Sequence, residues 1–412
     1  MFLSYKLPVT GNTETTQPEN RAFFPALDGL RAIAFLMVFA QHYYQFPWGW
    51  TGVNVFFVLS GFLITGILFD SRDDPHRART FYVRRTLRIF PLYYGIFLLL
   101  FVLQPIMHWR WSLLWIAWPL YLGNFLRFLF PASAMLGTPA QLLADARLST
   151  ARRPVITLPM GHFWSLCVEE QFYLVWPWIV FWVRSRRALI WICSLVVVIV
   201  PIVRVIVNRH APLWMLKQEL LYRVTPFQLD ALLLGGLIGL LWRGSHRELL
   251  WKIGRAVMWI MLVTASIYCF TTFHILQPDW CLRYAYPEWR LTWGLTFINV
   301  LSAATILTVL RPVGMVYRIL CCRPLRSLGR ISYGAYVLHD MVHQLCAGVF
   351  YRALNVYEVK NGPGAEFIAR HQVVLYPIPA FAVVVLLSWL SFRYFESPFL
   401  QLKNRLAPAT SS

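Results

Sequence analysis

Apolar stretches of about 20 residues, the length that carries a helix across a bilayer core, recur from one end of this chain to the other. LIWICSLVVVIVPIV at 189–203 is representative. Backbone that enters hydrocarbon finds no water to bond, so each run must satisfy its own amides, and a helix does so within a single segment. Spans are expected near 26–44, 52–70, 88–104, 162–183, 188–207, 225–242, 256–273, 291–310, 331–351 and 374–395. The fold class that follows is all-α, a polytopic membrane bundle of about ten helices in contact with lipid. Only 14% of the residues are charged, against roughly 25% in soluble domains, so a water-soluble enzyme is excluded.

An eleventh run, WSLLWIAWPLYLGNFLRFLF at 111–130, is long enough to span but holds Pro119, Asn124 and Arg127. Counting it would invert every later loop. With ten spans and an inside N-terminus, the basic loops around Arg72–Arg88, Arg184–Arg187 and Arg311–Arg330 all fall on the cytoplasmic side, as the positive-inside rule requires. Segment 111–130 is therefore expected to be interfacial or re-entrant. Residues 1–25 then form a polar cytoplasmic N-terminus, 26–400 the membrane domain and 401–412 a cytoplasmic tail. The first 20 residues lack the apolar core of a signal peptide, so the first span is expected to act as its own insertion signal.

The formal net charge of +20 invites a nucleic-acid reading. The arginines punctuate apolar runs instead of covering a soluble face, so no nucleic-acid partner is expected. The seven cysteines contain no C-x-x-C pair, which points away from a zinc site or a disulfide framework. No metal is expected.

Charged groups inside spans are costly and mark functional sites by default. The first span, LDGLRAIAFLMVFAQHYY, carries Asp28, Arg31 and His42. Eleven residues separate Arg31 from His42, a step that returns to within about 20° of the same helix face and climbs roughly 16 Å. The plainer reading makes Asp28 and Arg31 an interfacial i,i+3 pair and His42 a neighbour of the belt tyrosines. In GHFWSLCVEEQFYLVWP (161–177), Glu169 and Glu170 sit about two turns inside the outer end of their span, near the depth expected for His42. They point about 100° apart, so at most one faces a given partner. A carboxylate beside a histidine fixes its tautomer and stabilises its protonated form, as a general base needs. Alternatively both glutamates pair with arginine or bond Tyr173.

Arg84, Arg85 and Arg88 open the third span. Their guanidinium forks suit phosphate oxygens, although ordinary positive-inside anchoring also places arginines there. Near the end, GRISYGAYVLHDMVH (329–343) puts His339 near mid-membrane with Asp340 expected to point elsewhere. FRYFESPFL (392–400) ends the last span with Glu396, expected to clamp Arg330 or the arginine cluster in a structural role.

LDGLRA with His42, GVNVFFVLSGFLI (52–64), RRTLRIFPLYY (84–94), FWSLCVEEQFYLVWP (163–177), ISYGAYVLHD (331–340) and YFESPF (394–399), in this order, resemble the membrane-bound acyltransferase-3 family over about residues 26–400. Arg31 and His42 match its R-x10-H pair, Arg85 and Arg88 its RxxR motif, and Glu169 or Glu170 its acidic residue. The resemblance implies O-acylation of sugars such as those of lipopolysaccharide, peptidoglycan, exopolysaccharide, macrolides or nodulation factors. It implies a multi-pass protein of the bacterial inner membrane, acetyl-CoA or another acyl-CoA as donor substrate, a carbohydrate acceptor and no permanently bound cofactor. Many relatives carry a further span and an SGNH-type domain; this chain is expected to be a stand-alone core, and 131–160 aligns with nothing in the pattern.

On that resemblance Arg84, Arg85 and Arg88 would hold the CoA phosphates, the pantetheine arm would run past Arg31, and His42 would deprotonate a sugar hydroxyl as it attacks the thioester. Arg31, Asn54, Trp164 and Ser165 are the candidates for stabilising the oxyanion. The competing class is a secondary transporter, which also buries His, Glu and Arg but makes no bonds. Its support is slight: the Gly235–Gly236 pair and Pro201 as helix breakers.

Overall fold

The computed structural model describes residues 24–44, 46, 48–107, 113–129, 160–210, 214–272, 288–361 and 376–407. Among these residues the regular structure is entirely helical. The α-helices are α1 (Pro25–Tyr44), α2 (Thr51–Asp70), α3 (Arg77–Met107), α4 (Gly123–Leu129), α5 (Trp164–Trp182), α6 (Arg186–His210), α7 (Trp214–Arg223), α8 (Leu229–Trp242), α9 (Arg247–Thr272), α10 (Trp293–Val309), α11 (Met315–Leu320), α12 (Arg323–Arg330), α13 (Ser332–Asn361), α14 (Pro377–Leu390) and α15 (Ser397–Leu406). A helix thus lies at each position where a span was expected. The N-terminal residues 1–23, most of the 131–160 loop and residues 408–412 lie outside the described residues.

Six helical stretches among the described residues are long and apolar enough to cross a membrane: Thr51–Asp70, Arg77–Pro105, Arg186–His210, Thr225–Trp242, Arg247–Tyr268 and Pro377–Lys403. Absent from those six are α1, α5 and α13, although each has span length. They are the helices diluted by Asp28, Arg31 and His42, by Glu169 and Glu170, and by His339 and Asp340. The polar residues that lower their hydropathy face neighbouring helices.

The outer helices carry the lipid-facing surface. Trp191 on α6, Phe270 on α9 and Ile378 on α14 are all well exposed, as an apolar surface must be when its solvent is lipid. Inside, α2 and α8 meet along a seam of small residues. A Cβ on Gly61 would overlap the Leu232 carbonyl, and one on Gly235 the Val58 carbonyl; only glycine lets the two backbones approach so closely. A buried polar network ties the same region together. Arg204 of α6 donates to both oxygens of Asp230 (3.0 and 2.6 Å), to the Phe227 carbonyl and to Thr296 Oγ1 (both 2.9 Å). Asn299 Nδ2 donates to Asp230 Oδ2 (3.0 Å).

Segment 111–130 forms no continuous spanning helix. Its described part is a 3-10 turn at Leu113–Ala117, a left-handed Tyr121 (φ 55°) and the seven-residue α4. Asn124 explains its place: Nδ2 donates to Thr225 Oγ1 (3.0 Å) and the Arg223 carbonyl (3.2 Å), while Gln171 Nε2 donates to Asn124 Oδ1 (2.9 Å) and the Tyr121 carbonyl (2.6 Å). Asn124, one of the residues that argued against a span here, is spent pinning the segment to α5 and the end of α7.

Candidate active site

Two polar clusters lie along the seam where α1, α3, α5 and α13 meet. The first gathers at the α1 N-terminal end. Arg31 Nη1 bonds Asp28 Oδ1 at 2.7 Å. Arg85 of α3 stands between the two glutamates of α5, 3.9 Å from Glu169 Oε2 and 3.8 Å from Glu170 Oε1, with its guanidinium 3.7 Å from the centre of the Tyr173 ring. The Tyr173 hydroxyl is hydrogen-bonded to Ser60. Arg88, which is exposed, lies within electrostatic reach of both Arg31 and Arg85 and of Glu396. Three guanidiniums thus converge, and a further anion at Arg88 would relieve their mutual repulsion.

The second cluster sits about 16 Å farther along α1, at eleven residues' rise. His42 Nδ1 lies 3.7 Å from Asp340 Oδ1, and His162 Nδ1 lies 3.3 Å from Asp340 Oδ2. His162 Nε2 is 3.1 Å from the Val337 carbonyl. The His339 ring lies 4.8 Å from that of His42 and 4.7 Å from that of His162. His339 Nδ1 is 2.6 Å from the Tyr336 carbonyl, so that nitrogen carries the proton.

This arrangement corrects several expectations. The carboxylate within reach of His42 is that of Asp340, which the sequence reading pointed elsewhere; Glu169 and Glu170 turn to Arg85. The cause is depth: Arg85 enters the seam from α3 at the level of the glutamates, while His42 approaches α13 nearer the other end. Arg84 does not join Arg85 and Arg88, because its Nε donates to the Ala407 carbonyl at 2.9 Å, beyond α15. Consecutive residues on a helix face about 100° apart.

Three of the proposed oxyanion donors already hold hydrogen-bond partners. Arg31 serves Asp28, and Asn54 Nδ2 donates to Asn299 Oδ1 at 2.9 Å. Ser165 Oγ and Tyr336 Oη are 2.5 Å apart, and each also lies near the His162 carbonyl, at 3.2 and 3.0 Å. Two hydroxyl protons serve three contacts, so both are used internally. Trp164 is buried, with its ring 4.8 Å from that of Tyr222 and 6.0 Å from that of Phe57. Glu396 accepts from Ser391 Oγ at 2.9 Å and serves the arginine cluster through Arg88.

Accessibility follows polarity along the seam. The side chains of His42, Arg31, Arg85 and Glu169 retain 31, 21, 18 and 17% exposure, while Ala32, Phe35, Cys167 and Val337 on the same helices are fully buried. These charged side chains therefore keep part of their surface open, while their apolar neighbours do not. The sequence reading missed His162, Ser60 and Tyr336. His162 stands one turn before Ser165 in the GHFWS stretch, and a titratable side chain at the end of a polar span was a usable signal.

A family model described as an acyltransferase domain matches residues 24–393. The chain belongs to the acyltransferase-3 family. Among relatives of this acyltransferase-3 chain, the peptidoglycan O-acetyltransferase OatA of Listeria monocytogenes is 27% identical over 397 residues, covering 92% of this chain and 56% of its own. YrhL of Bacillus subtilis, named provisionally for peptidoglycan O-acetyl transfer, is 29% identical over 335 residues, covering 78% of this chain and 49% of its own. The chain spans about half the length of the curated relatives it matches. No solved structure matches it.

Proposed function

We propose that this acyltransferase-3 chain transfers an acetyl group from cytoplasmic acetyl-CoA to a hydroxyl of a carbohydrate on the far side of the bacterial inner membrane, with a cell-wall or surface glycan as acceptor. The observation that carries this reading is the pairing of a convergent arginine cluster with a carboxylate-backed histidine, with Arg31 and His42 eleven residues apart along α1. A phosphate-bearing donor and a reacting hydroxyl require those two environments. The names of the relatives support acetyl as the group moved, and peptidoglycan is the acceptor class to test first. The cytoplasmic placement of both termini rests on the basic loops.

Arg85 and Arg88 hold the CoA phosphates with forked, charge-assisted bonds, and the pantetheine arm runs past Arg31. The negative Asp340 on the Nδ1 side of His42 favours the tautomer with its proton there, leaving Nε2 to take the acceptor proton. The sugar oxygen attacks the thioester carbonyl, the carbon–sulfur bond breaks, and the CoA thiolate leaves. The proton on His42 goes to that thiolate. A thiol of pKa about 8.5, by analogy with cysteine, is a competent leaving group.

The test is His42→Ala in cells, followed by mass spectrometry of peptidoglycan and surface glycans. The variant should reach the membrane in normal amount while the acetyl-sized mass difference disappears. Undiminished acetylation would remove His42 from the chemistry.

A further inference from the structure

His162 is held at both of its ring nitrogens. A carbonyl oxygen only accepts hydrogen bonds, so the 3.1 Å contact to Val337 requires a proton on His162 Nε2. The other ring nitrogen then faces Asp340 Oδ2 at 3.3 Å. Asp340 is thus held against a ring whose opposite nitrogen is tied to the helix backbone. The side chain of His162 retains only 2% exposure, against 31% for His42, so His162 is walled off from any substrate in the seam and His42 is not.

We infer that His162 is a positioning residue for the proposed acyl transfer, acting on His42 through the shared carboxylate of Asp340. One carboxylate oxygen is held by His162, which is in turn held by the α13 backbone through Val337; the other oxygen is thereby aimed at His42 Nδ1. The ring of His162 also stands 4.6 Å from Phe163 in an edge-on contact, which restricts its rotation. The chain His162–Asp340–His42 therefore has one end held by α13 and by the 3-10 turn Gly161–Phe163 that leads into α5, and a more exposed end at His42. Without His162 the carboxylate regains a free torsion, and the tautomer of His42 is no longer imposed.

This inference rests on the acyl-transfer reading, and a double-mutant cycle on the purified full chain separates the two. Wild type and H42A are compared first for acetyl-CoA consumption; equal rates would overturn the acyl-transfer reading and this inference with it. With that benchmark met, H162A is expected to lower kcat tenfold or more while leaving KM for acetyl-CoA within about twofold. H162N, whose amide keeps a donor near the Nδ1 position, should recover part of the loss. H162A/D340A should be no slower than D340A, because the two side chains act as one unit. Multiplicative losses in the double variant, or a fall in thermal stability with kcat unchanged in H162A, would overturn the inference.

Discussion

Arg204 and Asp230 offer the sharpest test of how the bundle holds together. Helix α6 exposes most of its surface to lipid, where no hydrophobic force draws it to its neighbours. Its docking depends on a pair whose side chains retain 0 and 3% exposure. Replacing Arg204 by Met removes the two-pronged bond to Asp230 and leaves a buried carboxylate with neutral donors alone, the Asn299 amide at 3.0 Å and the Ala231 backbone. Breaking one side of a buried ion pair costs about 3–5 kcal/mol, mostly the uncompensated charge left behind, whereas replacing both sides by apolar groups is often neutral. The expected order of stability is therefore wild type close to R204M/D230L, with R204M and D230L both far below. Thermal unfolding in detergent, followed by the fraction that stays monodisperse, measures it. A double variant less stable than either single one would refute the claim that unpaired charge sets the cost.

R85A and R88A should each weaken CoA binding about tenfold, since a charge-assisted phosphate bond contributes roughly 1.5 kcal/mol or more; CoA-induced thermal stabilisation reads this directly, and a pure transporter should show no such stabilisation in any variant. R84A should bind CoA nearly as wild type does, because its guanidinium serves the Ala407 carbonyl; a loss matching R85A would mean that Arg84 reaches the donor. Gly61→Leu should abolish recovery of folded protein by driving a side chain into the Leu232 backbone, and normal yield would contradict the close approach of α2 and α8.

The spans were legible because hydrocarbon thickness imposes a length on each segment, whatever its neighbours. The Asp28–Arg31 pair was legible for a similar reason, since three residues along a helix is a local distance. The partner of His42 was not, because Asp340 lies nearly three quarters of the chain away and only the docking of α13 on α1 brings them together. Placing Glu169 beside His42 required a common depth, and the helix rise gave a depth for each span separately without giving the vertical offset between them. The partner of Asn54 was hidden on the same grounds: its position on α2 was clear, but Asn299 of α10 was an invisible neighbour.

The last helical stretch passes through a π-helical turn at Ser391–Glu396 before α15 resumes. Such a turn accommodates one residue more than an α-helix would, so everything after it is rotated by roughly 100° relative to an uninterrupted helix. That surplus residue sets the direction in which Glu396 projects, within electrostatic reach of Arg88. Deleting one position here would leave the helix intact and equally apolar, yet swing the carboxylate toward a different neighbour, so a change in chain length that looks harmless by hydropathy would strip the basic cluster of a counter-charge.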